Sequence, residues 1–123
     1  MPERRVYEIT DEGRKGAGHP GLCQFLEKPD ADRSRFVAAV SLMGCLPLAE
    51  AQRALRGRAS SIESVLARLE AHMRAMANSG LPEILMLEVE CEQTLYTAEL
   101  DWVRRLLDRL DKGELGWETT VEL

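Results

Sequence analysis

Leu48, Leu55, Ala59, Ile62, Leu66, Leu69, Met73 and Met76 follow one another at intervals of 7, 4, 3, 4, 3, 4 and 3 residues. Only an α-helix returns side chains to one side with that period, so the segment reads as one long helix with a heptad seam. Gln52 at a seam position and Gly57 on its flank are the interruptions, and Asn78, Ser79 and Gly80 close the helix with a C-cap signature. Leu81 and Pro82 follow, and Pro suits the first turn of a helix, which places a second long helix from Glu83 to about Asp111.

The second helix carries two apolar stripes. One is Ile84, Leu87, Cys91, Leu95, Ala98, Trp102 and Leu106; the other is Leu85, Val89, Tyr96, Leu100, Val103, Leu107 and Leu110. One stripe suffices to pack a helix on its own domain, so a second implies a second surface. Length points the same way. A helix from Leu48 to Ser79 is about 48 Å long, whereas a compact chain of this size is roughly 35 Å across. The simplest completion is a homodimer, with the Leu85 to Leu110 stripe, Leu85, Val89, Tyr96, Leu100, Val103, Leu107 and Leu110, as its interface. Tyr96 and Trp102, with the deformable Met73 and Met76 nearby, are candidates to line an apolar pocket there.

The rest of the chain is short elements. Residues 4–10 alternate as a β-strand whose partner must come from elsewhere, because a lone strand leaves its backbone polar groups unpaired. Gly13, Gly16, Gly18 and Pro20 weaken whatever helix follows, so a broken helix to about Glu27 is expected, then a turn, then an apolar helix from Ser34 to Leu46 ended by Pro47. Residues 113–123 form a tail in which Trp117 folds back as an anchor. The expected fold class is mainly all-α: a long antiparallel helical hairpin, shorter helices and one N-terminal strand. At 123 residues, 45% hydrophobic and 30% charged, the chain suits one core.

No apolar stretch is long enough to span a bilayer and no secretory signal is evident, so the expected compartment is the cytoplasm. Cys23, Cys45 and Cys91 are odd in number and widely spaced, which fits reduced thiols better than disulfides or zinc. Net charge is −5, but residues 1–60 hold 10 Lys and Arg against 8 acids, while residues 61–123 hold 6 against 13. Contact with nucleic acid, if any, belongs to the N-terminal end. Glu88 and Glu92 share a helix face, yet His19 and His72 supply no Glu-x-x-His spacing, so no metal site is expected. No nucleophile pair or phosphate-binding loop is present either, and neither a catalytic role nor a cofactor is expected.

Residues 4–14 (Arg-Arg-Val-Tyr-Glu-Ile-Thr-Asp-Glu-Gly-Arg) resemble the end of the winged helix-turn-helix domain of PadR-family transcriptional regulators: the second wing strand, then Thr-x-x-Gly-Arg opening a helix. Downstream, Leu81-Pro-Glu, the acidic Glu88-x-Glu90, the run from Glu99 to Leu110 and the run from Lys112 to Trp117 resemble the family's longer C-terminal helical domain, known also from virulence activators. The resemblance implies a wing remnant over residues 1–28 and a dimerisation and effector domain over residues 29–123. It implies wing contacts to DNA by Arg4 and Arg5, small aromatic or hydrophobic effectors, and homodimers or heterodimers with full-length relatives. The family's recognition helix precedes this strand and does not fall within these 123 residues, so autonomous sequence-specific DNA binding is not expected. The alternative is a helical interaction adaptor with no DNA role.

Overall fold

The computed structural model describes residues 6–8, 19–29, 33–117 and 120–122. Four helices dominate: α1 (His19–Glu27), α2 (Arg33–Ser41), α3 (Leu48–Asn78) and α4 (Leu87–Asp111). Short 3-10 turns at Met43–Cys45 and Glu83–Met86 precede α3 and α4. β1 (Val6–Glu8) pairs antiparallel with β2 (Thr120–Glu122), Tyr7 opposite Val121. The strand's partner is therefore the C-terminal tail. Arg4 and Arg5 lie outside the described residues.

The mainly helical class and the hairpin stand as the sequence suggests, and the helix ends have local causes. The helix expected to reach about Glu27 does so in α1, while Gly13, Gly16 and Gly18, expected to weaken it, lie outside the described residues. α2 stops at Ser41, five residues short of the expected end, where the Ser41 hydroxyl donates to the Ala38 carbonyl at 2.6 Å and Gly44 lies just ahead. Leu46 is extended, as the residue before Pro47 must be. At the end of α3, Gly80 takes φ +74°, the Leu81 N–H donates to the Met76 carbonyl and the Gly80 N–H to the Ala77 carbonyl. This Schellman pair satisfies carbonyls the helix leaves open. Gly113, at φ +69°, closes α4 in the same way, with Glu114 N–H on Arg109 and Gly113 N–H on Leu110.

The core gathers at one end of the hairpin. Leu26 of α1, Phe36 and Ala39 of α2, Ala51 to Ile62 of α3 and Leu100 to Leu110 of α4 supply its buried residues, with Met43 and Leu46 between α2 and α3. Beyond Ile62 on α3, and before Leu100 on α4, no described residue is fully buried. Half of the hairpin is thus a two-helix arm projecting from a small globule. Gly57 leaves room for α1, since a Cβ there would stand 2.8 Å from Glu27 Cγ. The tail returns as expected: the Trp117 indole N–H donates to the Leu46 carbonyl at 2.8 Å, and the ring packs against the core.

The two stripes of α4 divide differently from the sequence expectation. Leu100, Val103 and Leu110, expected to face a second subunit, are buried in the chain's own core, with Tyr96 and Leu107 packed against them and Val89 half-buried. Only Leu85 of that stripe is exposed. Ile84, Leu87, Leu95 and Trp102 of the other stripe lie outside, although Leu106 is buried. Both stripes are apolar, and periodicity does not say which one meets α3.

The thiols are unequal. Burial raises the Cys23 pKa above its ordinary value, the Glu50 carboxylate adds to the effect, and Arg53 opposes it before a smaller push from Glu27. Cys91 is exposed on α4. Because the thiolate is the reacting species, iodoacetamide at pH 7.5 (a pH of about that value suits thiol labelling) should modify Cys91 first and Cys23 last. Mass spectrometry of a time course reads the order, and Cys23 labelling at the rate of Cys91 would contradict this packing.

Candidate functional site

The periodicity that builds α3 places Arg58 among core residues, three after Leu55 and four before Ile62. It is 2% exposed, the one buried charged residue among those described. On α4, Glu99 stands three after Tyr96 and four before Val103, and its side chain is 9% exposed. Burying either alone carries a heavy desolvation cost, so each must find its partner. Arg58 Nε meets Glu99 Oε2 at 2.7 Å, and Arg33 Nη1, from the first turn of α2, meets Glu99 Oε1 at 2.9 Å. One carboxylate therefore bridges two guanidinium groups.

Arg58 does more than pair. Its Nη1 donates to the carbonyls of Phe25, Lys28 and Leu26 at 3.1, 3.3 and 3.4 Å. These are among the carbonyls that the C-terminus of α1 leaves without helical partners, and a cation there also complements the helix dipole. The guanidinium lies 3.5 Å from the centroid of the Phe36 ring, while Arg33 sits 4.6 Å from that of Tyr96. Phe36 in turn meets Trp102 edge to face, centroids 6.2 Å apart. The node thus ties all four helices together through charge, cation–π contact and aromatic packing.

Two clefts open beside it, and Arg33 lines both. The larger, about 600 Å³, runs between α3 and α4 and is lined by Pro29, Arg33, Val65, Arg68, Leu69, His72, Glu92, Leu95 and Tyr96. The smaller, about 330 Å³, lies between α2 and α4 over Phe36, Val37, Val40, Glu99 and Trp102. Tyr96 and Trp102, expected to share one pocket, are therefore separated by the Arg33 and Glu99 pair. Met73 and Met76 line neither cleft; they sit half-buried further along the arm.

Among the described residues no three of His, Cys, Asp and Glu are placed to hold a metal ion, and no helix is long and apolar enough to cross a membrane. Comparison of the chain with protein-family models, with curated proteins and with solved structures finds no match. The site residues that sequence reasoning passed over are Arg58 and Glu99. Their signal was present: each is a charged residue where the apolar period of its helix calls for a core side chain. Arg68 gave no such signal, and His72 stood out only for lying beside the seam.

Proposed function

We propose that the chain is the dimerisation and effector-sensing region of a PadR-like transcriptional regulator. The observation that carries the sensing part is that Arg33 lines both clefts and, through Glu99, reaches the Arg58 guanidinium that caps α1. A small molecule settling against Arg33 changes the partners of Glu99, and with them the hold of Arg58 on the end of α1. That helix follows the segment resembling a wing, so effector occupancy is passed toward the DNA-binding side as a shift between two packings of α1. The motifs at residues 4–14 and 81–117 support the family reading.

The dimerisation part rests on the arm. Ile84, Leu87 and Leu95 lie exposed along one side of it, and a second copy related by a two-fold axis is the simplest cover. Light scattering should give twice the chain mass for the native protein and the chain mass for Leu87→Asp, with identical circular dichroism. A native chain that stays monomeric while fully helical would sink this part. It would leave the adaptor reading, which the same exposed residues favour, with a different protein over the arm. Arg4 and Arg5 contribute DNA contacts on this reading only beside a complete winged helix.

A further inference from the structure

The larger cleft has a charge that its surroundings do not. Between Glu83 and Val103 the chain carries Glu83, Glu88, Glu90, Glu92, Glu99 and Asp101 and no Lys or Arg. The wall facing this acidic stretch is α3, and there Arg68 and His72, one turn apart, both line the cleft. Arg33 closes one end, already engaged by Glu99 and stacked on Tyr96. Arg68 is different. Arg56, Arg58, Arg74, Arg104 and Arg105 each hold a carboxylate within 3.0 Å, whereas Arg68 has no ion pair among the described residues; Arg53 and Arg109 share that state but line neither cleft.

Glu92 lines the α4 wall as the one carboxylate of the lining, against Arg68 and Arg33. The remaining surface is apolar and mostly aliphatic: Pro29 ahead of α2, Val65 and Leu69 from α3, Leu95 and the Tyr96 ring from α4. From Val65 to His72 the groove runs about 10 Å along α3, the reach of a medium-length acyl chain. Its volume of about 600 Å³ lies within the range of small-molecule sites. An inorganic anion would leave the apolar floor uncovered, and a cation would meet two guanidinium groups, Arg68 and Arg33, against the single carboxylate of Glu92. We propose that this cleft binds an amphipathic organic anion, a carboxylate on an aliphatic body, with the head group at Arg68 and His72 and the body over Leu69, Leu95 and Tyr96. This deepens the effector reading above and rests on it for its consequence, while the binding itself stands on the cleft.

Calorimetric titration of the full chain with octanoate tests it, with acetate as the head alone and octyltrimethylammonium as a body of opposite charge. Octanoate is expected to bind one per chain and to raise the melting temperature; the other two are expected to do neither. Arg68→Gln should weaken octanoate at least tenfold and leave the melting temperature of the free protein unchanged. Arg74→Gln, which removes the partner of Glu70 away from the cleft, should leave affinity unchanged. Equal binding of octanoate and octyltrimethylammonium, full affinity in Arg68→Gln, or no octanoate binding at all would each overturn the proposal. Light scattering with and without octanoate, together with amide exchange in α1, separates the two readings. Binding that changes neither keeps the anion site and removes its role as an effector site. Absence of binding by a chain that still dimerises removes the site alone.

Discussion

Arg58→Ala is expected to destabilise the chain by about 3–5 kcal/mol, the usual consequence of removing one member of a buried ion pair. Three losses coincide. Glu99 keeps a buried carboxylate with Arg33 as its remaining cation, the carbonyls of Phe25, Leu26 and Lys28 lose a shared donor, and Phe36 loses the guanidinium on its face. Against a total stability of roughly 5–15 kcal/mol this is a large fraction. Glu99→Gln should cost less, about 2 kcal/mol, because the amide oxygen still accepts one charge-assisted hydrogen bond. The double variant Arg58→Met with Glu99→Leu should recover part of the loss, since no buried charge is left unpaired and Arg33, 36% exposed, can turn to water, while the carbonyls at the end of α1 still lack their donor.

Urea unfolding followed by circular dichroism ranks the three, and amide exchange adds a regional readout. In Arg58→Ala the amides of α1 should exchange ahead of those in α3, because the cap on α1 is what the arginine supplies. A loss below about 1 kcal/mol, the range of exposed pairs such as Arg56 with Asp111, would mean that the node does not hold the four helices.

Much of this fold was legible, and the illegible part has a physical reason. Local signals worked because the backbone answers to them directly: the heptad steps of α3, Gly80 in the left-handed region, Pro82 before the second helix, and Trp117 as the large apolar residue in a polar tail. Gly113 obeys the same rule as Gly80. Questions of partner choice were harder. Leu85 to Leu110 and Ile84 to Leu106 are both apolar stripes with helical period, and only the docking of α3 along α4, with Arg33 and Phe36 of α2 reaching Glu99 and Trp102, decides which is covered. The node escaped for a related reason. Arg58 and Glu99 lie 41 residues apart, and a charged residue flanking an apolar stripe reads as solvated surface until its partner on another helix is known. Tyr96 and Trp102, six apart on one helix, look like one pocket until the Arg33 and Glu99 pair is seen between them.

Val103→Asp is expected to unfold the chain outright, and the same substitution at Ile84 to leave the stability of the single chain, compared at a concentration too low for two copies to associate, within about 0.5 kcal/mol of the native value. The two positions belong to one helical hairpin and differ in what surrounds them. Val103 is 0% exposed, in a cluster with Leu55, Ile62, Leu100 and Leu106, and the buried cation beside that cluster, Arg58, is already engaged by Glu99 and the carbonyls at the end of α1. An ionised Asp there has neither water nor a free partner, and a neutral one still leaves its hydrogen-bonding groups unmet, a cost of more than about 4 kcal/mol on top of the lost packing. Ile84 is 70% exposed, at the turn that opens α4, and an acid near a helix N-terminus is favoured by the dipole. Circular dichroism at 25 °C (about ambient, where stability is ordinarily compared) is sufficient to tell the two apart. The comparison decides the orientation of α4 directly: a folded Val103→Asp beside an unfolded Ile84→Asp would require the Leu85 to Leu110 stripe to be the free one, and with it a hairpin turned the other way about its own axis.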